Sequence, residues 1–429
     1  MEKIIVERKG SLQGEVTIPG DKSISHRAVI ISSLAKGKTR IKGLLKGEDN
    51  LRTINAFQLM GIKIKKTDND ELTIHGRGLH GLTEPTNIIN AGNSGTTMRL
   101  LTGLLCGQQF FSVINGDRYL RKRPMKRVVS PLSLMGANIW GREDGKFAPL
   151  CINRARLTPI EYNSSIASAQ VKSAILFAGL YTDGVTKVSE PWLSRDHTER
   201  MLKRFGVSLN RKGNTVSLFG GSELEPRDID IPRDISSAAF FIVAALIIPG
   251  SEVILRKIGA NPSRIGVIEI LRKMGGDIQI LQEDKTGGEP VIDILVKSSP
   301  LKGVRIEGPF IPKTIDEFPI LSIAASVAKG ETVIKDAQEL RVKETDRIKA
   351  MASELLKFGV DVEEFDDGMI ISGNNHLHGC ECQSYGDHRV AMSLIVAGLR
   401  ASGRTIVKDT SCIDTSFPGF RDKLFSILH

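Results

Sequence analysis

Short polar strings along the chain carry residue types from which anion-binding sites are built. Residues 21–27 (DKSISHR) and 386–389 (GDHR) combine cations with helix-capping residues, and residues 92–97 (GNSGTT) are rich in glycine and hydroxyls. A helix start attracts anions through its free N–H groups and its dipole. Cations in the first helical turn oppose that dipole, so Lys22, Arg27 and Arg389 are functional candidates rather than ordinary capping residues.

Residues 341–347 (RVKETDR) form a further charged string between a predicted strand and an apolar helix. Opposite charges at three- and four-residue spacing are also typical of an exposed helix surface. The basic cluster at residues 121–127 has the same alternative interpretation, a solvated face. Composition does not decide between a binding site and a charged surface for either string.

The elements that must position these strings form a pattern that recurs six times. Each copy has a short strand, a polar segment, an apolar helix, a strand led by glycine and an amphipathic helix. Glycines close the apolar helices at intervals of about 66 to 80 residues: Gly37, Gly107, Gly184, Gly250, Gly330 and Gly403. The second helix of five copies is expected to end at Met60, Met135, Phe205, Met274 and Phe358, each followed by glycine.

The apolar helices are hydrophobic nearly all round, so we expect each to be buried with only its polar start accessible. The six starts lie at residues 21–27, 92–97, 168–172, 233–237, 313–317 and 386–389. Their convergence on one cleft would create an anion site. For the fourth start, plain N-capping is an equally good interpretation.

Length and composition restrict the class of protein. A chain of 429 residues predicts two domains, and 41% hydrophobic with 25% charged residues excludes a mainly disordered protein. The net charge of +10 indicates an anionic partner, and 5% aromatic residues leave few platforms for stacking nucleic-acid bases. The longest apolar run, residues 238–248, is shorter than the roughly 18 to 20 residues of a membrane span, so we expect a buried helix and no membrane partner.

Several kinds of site lack their sequence signals. Five cysteines, of which only Cys380 and Cys382 are close together, supply neither a disulfide framework nor a four-ligand zinc site, and the histidines have no metal-ligand spacing. We therefore expect no metal. Residues 92–97 lack the Gly-Lys-Ser/Thr of a P-loop, and Cys106 in an apolar helix favours a core thiol. The N-terminus has no apolar signal region, so a cytoplasmic location is expected.

A family resemblance rests on seven strings together: PGDKSISHR, GNSGTTMR, KRPM, SAQVK, RDHTE, RVKETDR and GDHR. They resemble those of the 5-enolpyruvylshikimate-3-phosphate synthase family within the enolpyruvyltransferase superfamily. The match runs through all six repeats. It implies a two-domain inside-out α/β barrel of six βαβαββ repeats, three per domain, with one domain at residues 19–230 and the other at 1–18 with 231–429.

The resemblance also implies a reaction. The family moves the enolpyruvyl group of phosphoenolpyruvate to the 5-hydroxyl of shikimate 3-phosphate in a cleft between the domains and releases phosphate by addition and elimination. Both substrates are polyanions, and no redox or metal chemistry is required, so no cofactor is implied. A monomer that does not bind nucleic acid is expected.

Site residues are implied by motif position. Those matching the shikimate 3-phosphate contacts are Lys22, Ser23, Arg27, Ser168, Gln170, Arg195, Asp316 and Lys343. Those matching the phosphoenolpyruvate contacts are Lys22, Gly95, Arg123, Gln170, Arg347 and Arg389. Asp316 and Glu344 match the catalytic carboxylates, with Asp316 assigned to the substrate hydroxyl and Glu344 to the methylene carbon. Lys22 is the rival proton carrier.

Three positions bear on how closely the sequence follows the family pattern. Ala169 resembles the glyphosate-tolerant branch, whereas Gly95 is the glycine of the sensitive branch, so inhibitor tolerance is left open. Thr415 stands where many members place a lysine, so a phosphoenolpyruvate contact is lost there or supplied by another cation.

Two alternatives differ in what they require of the sequence. The sister enzyme acting on UDP-N-acetylglucosamine shares the fold but would want an asparagine where Ser23 stands and a reactive loop cysteine. A basic nucleic-acid-binding protein is supported by the net charge alone.

Overall fold

A computed structural model describes residues 2–7, 10–67, 71–285, 288–373 and 376–429. The chain divides into two compact units. Unit 1 runs from the N-terminus to Pro19 and from Pro232 to His429, and unit 2 is Gly20–Ile231. The chain thus passes from one unit to the other at residues 19–20 and again at 231–232.

Helices and strands are interspersed along the described residues. In order they are α1 Lys22–Leu34, α2 Glu48–Leu59, α3 Gly95–Leu105, α4 Lys126–Leu134, α5 Arg142–Gly145, α6 Ala169–Gly179, α7 His197–Arg204, α8 Ile235–Ile247, α9 Gly266–Lys273, α10 Phe310–Thr314, α11 Phe318–Ser326, α12 Arg347–Lys357, α13 His388–Arg400 and α14 Phe420–Phe425. Short 3₁₀ helices lie at Leu120–Lys122, Gln338–Val342 and Thr410–Thr415.

The strands are short, and most belong to four-stranded groups. They are β1 Lys3–Glu7, β2 Gln13–Val16, β3 Lys36–Lys42, β4 Lys63–Lys66, β5 Leu72–Arg77, β6 Ile89–Asn90, β7 Ser112–Asn115, β8 Asn138–Gly141, β9 Phe147–Asn153, β10 Glu161–Asn163, β11 Val185–Ser189, β12 Leu209–Lys212, β13 Thr215–Phe219, β14 Ile229–Asp230, β15 Glu252–Gly259, β16 Asp277–Asp284, β17 Val291–Lys297, β18 Arg305–Ile306, β19 Gly330–Ile334, β20 Asp361–Phe365, β21 Gly368–Gly373, β22 Glu381–Gln383 and β23 Arg404–Lys408.

The sheets show that the sequence repeat is a structural repeat. In the described part of the chain there are six sheets, and five of them have four strands in one common order. In the sheet β6-β7-β9-β8, β6 runs parallel to β7, and β9 lies antiparallel to both β7 and β8. The predicted six-copy α/β fold is confirmed. None of the sheets formed by the described residues closes on itself, so the expected barrel is not a closed sheet.

Three sheets are completed by strands from distant parts of the sequence. In unit 1, β2 pairs in parallel with β15, from Gln13 opposite Glu252 to Val16 opposite Leu255. In unit 2, β14 pairs in parallel with β3, with Ile229 opposite Ile41. The N-terminal strand β1 similarly joins β23 in the sheet of the sixth copy. Each unit is therefore assembled from a long stretch of chain and a remote closing strand.

The hydrophobic residues of each unit form their own core. One cluster gathers apolar side chains of unit 1, and a second gathers those of unit 2. Helix α8 is buried over its whole length, from Ile235 to Ile247, as its apolar composition predicts. Within the described ranges, no helix combines the length and apolar character that crossing a membrane would require.

The first helix of most copies begins at a side-chain cap. Asp21 accepts a hydrogen bond from the backbone N–H of Ile24, and Asp387 accepts from those of Arg389 and Val390. Comparable caps are made by Ser94, Ser168 and Asp234. Capping satisfies N–H groups that a helix start leaves unpaired, which fixes where each polar string lies.

The ends of the second helices agree with the sequence signal. Met60, Met135, Phe205, Met274 and Phe358 are the C-cap residues, as expected. The glycine after each cap has a positive φ, for example 83° at Gly61 and 84° at Gly359. A side chain would be strained in this left-handed conformation, so glycine allows the chain to turn into the next strand.

The fifth copy differs from the expectation that its helix begins within residues 313–317. Helix α10 ends at Thr314, and α11 begins only at Phe318, with Pro319 in its first turn. Glu317 precedes α11 but makes no capping hydrogen bond with its side chain. Its carboxylate is instead engaged by distant residues, which are described below.

Candidate active site

In unit 2, the side chain of Lys22 is paired with a carboxylate at the start of α2. Lys22 Nζ lies 2.5 Å from Asp49 Oδ2, and the backbone oxygen of Lys22 accepts a hydrogen bond from Asn50 Nδ2 at 3.1 Å. Both charged side chains are mostly buried, with 17% and 12% exposed. The pair therefore holds an ammonium group at the first turn of α1, where the helix dipole alone would disfavour it.

Arg27 lies one turn further along α1 and is buried. Its Nε donates to Thr198 Oγ1 at 2.6 Å, and its Nη2 donates to Ser173 Oγ at 3.0 Å. Its Nη1 donates to the backbone oxygen of Ser23 at 3.0 Å. These hydrogen bonds fix the orientation of the planar guanidinium.

Gly95, in the second copy, lies against the guanidinium groups of two arginines. A methyl group added at Gly95 would lie 2.9 Å from Arg99 Nη1 and 3.0 Å from Arg123 Nη1. Arg99 Nη1 donates to Gln170 Oε1 at 2.6 Å, and Gln170 Nε2 donates to Thr96 Oγ1 at 3.0 Å. The structure thus brings together Gly95, Arg123 and Gln170, which the motif resemblance matched to phosphoenolpyruvate contacts. Arg99 lies with them.

The start of the third copy is braced by a buried ion-pair network. Lys172 Nζ lies 2.9 Å from Glu190 Oε2 and 2.8 Å from Glu199 Oε1, and its side chain is 1% exposed. The backbone N–H of Ser168 donates to Glu190 Oε1 at 2.9 Å. Although burial opposes the ammonium form of Lys172, the two glutamates outweigh burial and raise its pKa.

Arg195 belongs to the segment that this network holds. It is half-buried, between Ser194, whose hydroxyl donates to Glu190 Oε2 at 2.7 Å, and Asp196, which pairs with Arg200 at 2.9 Å. The position of the loop is therefore fixed on both sides of Arg195.

A chain of neutral polar groups links the starts of the first two copies. His26 Nδ1 lies 2.7 Å from Thr53 Oγ1, which in turn lies 2.8 Å from Thr97 Oγ1. Thr97 Oγ1 donates to Ser94 Oγ at 2.8 Å. Burial of His26, together with the nearby Lys22 and Arg27, lowers its pKa well below the usual value, so the imidazole is neutral at pH 7.

In unit 1, Arg347 is the first residue of α12 and is fully enclosed, with 1% of its side chain exposed. Its Nε donates to Asp387 Oδ2 at 2.8 Å, its Nη2 to Glu344 Oε2 at 2.7 Å and its Nη1 to Asp316 Oδ1 at 3.4 Å. Burial acts against the charged form, but these carboxylates outweigh it and raise the pKa of Arg347. One guanidinium thus ties together both predicted catalytic carboxylates.

Arg389 lies beside the same carboxylates. Its Nη1 donates to the backbone oxygen of Asp316 at 2.9 Å, and its guanidinium is 3.8 Å from both Asp316 Oδ2 and Glu317 Oε1. The buried Glu317 also accepts a hydrogen bond from Ser236 Oγ and lies 3.8 Å from Arg264. These contacts explain why Glu317 does not cap α11 and why the fourth copy's start is bound into an internal network.

Lys343 and Glu344 occupy the turn between the 3₁₀ helix Gln338–Val342 and α12. The charged string 341–347 is therefore not the surface of one continuous helix. Burial lowers the pKa of Lys343 by disfavouring its ammonium form, Asp316 acts in the opposite direction, and Arg347 reinforces the lowering.

Thr415 lies in the 3₁₀ helix Thr410–Thr415 of unit 1. Its hydroxyl donates to the backbone oxygen of Cys412 at 2.7 Å and lies 3.4 Å from His388 Nδ1. The residue is therefore next to the start of α13, but it contributes no charge there.

Sequence reasoning missed Asp49, Arg99, Asp387 and Glu317 as parts of these clusters. A signal for Arg99 was available, since it is a cation one turn into a first helix, like Lys22 and Arg27. Asp49 and Asp387 were hidden because acidic residues at helix starts are ordinary. The role of Glu317 depends on Ser236 and Arg264, which are distant in sequence.

The predicted residues thus fall into two sets of different chemistry. The unit 2 set contains Lys22, Ser23, Arg27, Gly95, Arg123, Ser168, Gln170 and Arg195, and it presents cations and hydroxyls. The unit 1 set contains Asp316, Lys343, Glu344, Arg347 and Arg389, and it combines cations with carboxylates. The first set is suited to binding anions, and the second to binding anions and transferring protons. The residues that the structure describes include no cluster of three or more His, Cys, Asp and Glu side chains that could hold a metal ion.

Comparisons with known proteins give one answer. The sequence profile of EPSP synthase (3-phosphoshikimate 1-carboxyvinyltransferase) matches residues 6–424. The chain is 58% identical over 410 residues to 3-phosphoshikimate 1-carboxyvinyltransferase of Geotalea daltonii, covering 96% of this chain and 95% of the relative. It is 56% identical to that of Geobacter sulfurreducens, with the same coverage. The solved structure of EPSP synthase from Acinetobacter baumannii is similar, with a TM-score of 0.88, 46% identity, and 99% of this chain and 98% of that chain covered.

Proposed function

Because this chain belongs to the EPSP synthase (3-phosphoshikimate 1-carboxyvinyltransferase) family, we propose that it transfers the enolpyruvyl group of phosphoenolpyruvate to the 5-hydroxyl of shikimate 3-phosphate. Phosphate is the second product, and the reaction serves the shikimate pathway to aromatic amino acids. The observation that carries the proposal is the bonding of Arg347 to Asp316 and Glu344, because it joins an anion-binding group to a pair of proton-transfer groups.

The reaction requires that a proton be gained and lost at carbon while another leaves oxygen. In the addition step, the 5-hydroxyl oxygen bonds to the central carbon of phosphoenolpyruvate, its proton departs, and the methylene carbon becomes a methyl group. In the elimination step, phosphate leaves and the methyl group loses a proton. Paired acid and base groups must therefore reach both the hydroxyl and the methylene carbon.

We assign shikimate 3-phosphate chiefly to the unit 2 set. Arg27 is oriented by hydrogen bonds to Thr198, Ser173 and the backbone of Ser23, and its guanidinium is suited to the phosphate or carboxylate of this substrate. Ser23, Ser168 and Gln170 would add hydrogen bonds. Lys22, Arg195, Asp316 and Lys343 complete the proposed contacts.

We assign phosphoenolpyruvate to Lys22, Gly95, Arg123, Gln170, Arg347 and Arg389. The absence of a side chain at Gly95 leaves room for an anion beside Arg123, because a methyl group there would contact its guanidinium. Arg99 joins this group as a positioning residue, since it holds Gln170 at 2.6 Å. Thr415 supplies no cation, so the arginines carry the charge recognition.

For proton transfer, we assign Asp316 to the substrate hydroxyl and Glu344 to the methylene carbon. Both carboxylates are fixed by Arg347, which orients them. Lys22 is the alternative carrier at carbon, and its ion pair with Asp49 fixes the position of its ammonium group.

The decisive experiment is a phosphate-release assay with the purified protein. We expect release that requires both phosphoenolpyruvate and shikimate 3-phosphate, with enolpyruvylshikimate 3-phosphate identified by mass. Replacement of shikimate 3-phosphate by UDP-N-acetylglucosamine serves as the control for the sister reaction. Phosphate release with the nucleotide sugar but not with shikimate 3-phosphate would overturn the proposal. Repetition with glyphosate would determine the inhibitor tolerance that Ala169 and Gly95 leave open.

We further propose that the protein acts as a cytoplasmic monomer. The free thiols of all five cysteines support a reducing compartment. Light scattering during gel filtration would test the oligomeric state.

A further inference from the structure

Two cysteines of unit 1 lie side by side at an edge strand and have no role in the proposed reaction. Cys380 precedes β22, and Cys382 is its middle residue, paired with Val407 of β23. Since alternate residues of a strand point to the same side, both thiols face the same way. Their sulfur atoms are 3.4 Å apart. This distance places the two thiols in direct contact.

The two thiols differ in exposure. Cys382 is completely buried in the unit 1 core, whereas Cys380 is half-buried and packs at its margin. The hydrogen bond from Cys382 lowers the pKa of Cys380, while burial and the nearby Glu354 work against this. The same hydrogen bond, together with burial, raises the pKa of Cys382. Cys380 is thus the accessible nucleophile, and Cys382 is the protonated partner behind it.

We propose that Cys380 and Cys382 are a reversible dithiol–disulfide pair that is oxidised by small disulfides of the glutathione type. The Cys380 thiolate attacks one sulfur of the small disulfide, forms a mixed disulfide and releases one thiolate, which takes up a proton. Cys382 then loses its proton and attacks the Cys380 sulfur, which releases the second small thiol. Both protein thiols are oxidised, and one small disulfide is reduced to two thiols.

The backbone geometry favours a readily reduced disulfide over a permanent one. Alternate residues of a strand have Cα atoms about 6.6 to 6.8 Å apart. That is the upper end of the range of about 4.4 to 6.8 Å found for disulfides. Closing the bond also requires the Cβ atoms, which lie about as far apart as the Cα atoms along a strand, to approach to about 3.5 to 4.5 Å. The chain must therefore bend at Cys380, which lies just outside β22. Bonds strained in this way are more easily reduced, and partly exposed ones are typical of labile pairs.

The other cysteines do not share this arrangement. Cys106 is buried in α3, and burial raises its pKa. Cys412, in the same unit as the pair, donates to the backbone oxygen of Asp409 at 3.3 Å, and burial raises its pKa to about 12. Cys412 is therefore a matched control, since it is partly buried in unit 1 but has an unreactive thiol.

The test uses the reduced, full-length protein exposed to oxidised glutathione. Thiols are then alkylated in denaturant, and peptides are mapped by mass spectrometry. We expect the peptide that carries both Cys380 and Cys382 to lose two alkylation sites and to be two mass units lighter than the reduced, unalkylated peptide, while Cys412 remains alkylated. Treatment with a strong reductant should restore both sites. Full alkylation of this peptide after oxidation would overturn the proposal.

Single substitutions separate the roles of the two thiols. The Cys382→Ser variant should accumulate a glutathione adduct at Cys380, because the resolving thiol is missing. The Cys380→Ser variant should lose no thiol, and Cys412→Ser should behave as the wild type. A persistent glutathione adduct on the wild-type peptide would contradict the proposal. Peptide mapping of the wild-type protein tests the proposal without any variant. The proposal can therefore be overturned even if a variant fails to fold.

Discussion

Arg27 and Arg99 of unit 2 and Arg347 of unit 1 bond to different kinds of acceptor. Arg27 and Arg99 donate to hydroxyls, a side-chain amide and backbone carbonyls, which carry no charge. Arg347 donates to the carboxylates of Asp387, Glu344 and Asp316. Carboxylates offset the charge of the arginine and are themselves oriented by it, whereas bonds to neutral groups orient the arginine alone. Lys22 of unit 2 resembles Arg347 in this respect, because it pairs with Asp49.

We propose that the two sets have different roles. The unit 2 set would serve mainly for binding, and the unit 1 set for binding together with proton transfer. Lys172 of unit 2 has a different role. This buried cation pairs with Glu190 and Glu199 and braces the structure instead of facing a substrate. Substitutions in the two sets should therefore affect different kinetic constants.

The largest effect is expected for Glu344→Gln. The amide keeps the shape of the side chain and a hydrogen-bond acceptor for Arg347, but it removes the group proposed to move the proton at carbon. We expect kcat to fall by roughly 10² to 10⁴. Steady-state kinetics with both substrates is the measurement. Glu364→Gln is the control, since Glu364 pairs with Arg341 at 2.9 Å on a half-exposed strand. A change confined to KM would remove Glu344 from proton transfer and weaken the comparison.

Arg27→Ala tests the binding role of the unit 2 set. Loss of one partner of a buried charge interaction typically costs about 2 to 5 kcal/mol, so we expect kcat/KM for shikimate 3-phosphate to fall roughly 30- to 5000-fold. The melting temperature is measured alongside, and we expect it to change little. Arg40→Ala is the control, since Arg40 is exposed and bonds to Asp228. Wild-type kcat/KM in the Arg27 variant would refute the assignment.

Gly95→Ala tests the proposed phosphoenolpyruvate contacts of the unit 2 set, and its expected effect is smaller. The added methyl would contact the guanidinium groups of both Arg99 and Arg123. Overpacking of this kind costs about 1 to 3 kcal/mol, so we expect KM for phosphoenolpyruvate to rise roughly 5- to 150-fold. KM for shikimate 3-phosphate serves as the internal control. An equal rise in both constants would mean that Gly95 does not distinguish the substrates.

The smallest effect is expected on the pH dependence of stability, through the buried His26 of unit 2. The folded protein lowers its pKa, so below pH of about 6.5 the unfolded chain takes up a proton that the folded chain does not. The free energy of unfolding should therefore fall as the pH falls below that value, by up to about 1.4 kcal/mol per pH unit. His26→Asn should reduce this slope, measured by urea titration at several pH values. His75→Asn, on strand β5, is the control, and equal slopes in wild type and His26→Asn would contradict the assignment.

Much of the fold could be predicted because it depends on local chemistry. The starts at Asp21 and Asp387 follow from capping, and the helix ends before Gly61 and Gly359 follow from a backbone conformation that favours glycine. The start of α11 could not be predicted, since Glu317 is drawn to Ser236 and Arg264 instead of capping the helix. Long-range ion pairs of this kind override a local preference.

The site could be predicted only as far as motif resemblance reached. The resemblance supplied Lys22, Arg123 and Arg347, but it did not indicate what holds each charge. The pairing of Lys22 with Asp49 joins the two helices of the first copy, and the contact of Arg99 with Gln170 joins the second and third copies. Residues so distant in sequence become neighbours only when the sheets and helices pack.

The remote closing strands have a consequence for biosynthesis. β1 and β2 are synthesised long before their partners, β23 and β15. By contrast, the segment Gly20–Ile231 contains the described strands of its own sheets and can fold as it emerges. A nascent chain that stalls once Ile231 has left the ribosome, but before β15 has been made, would therefore carry a finished domain preceded by the unpaired strands β1 and β2, which a protease would remove first.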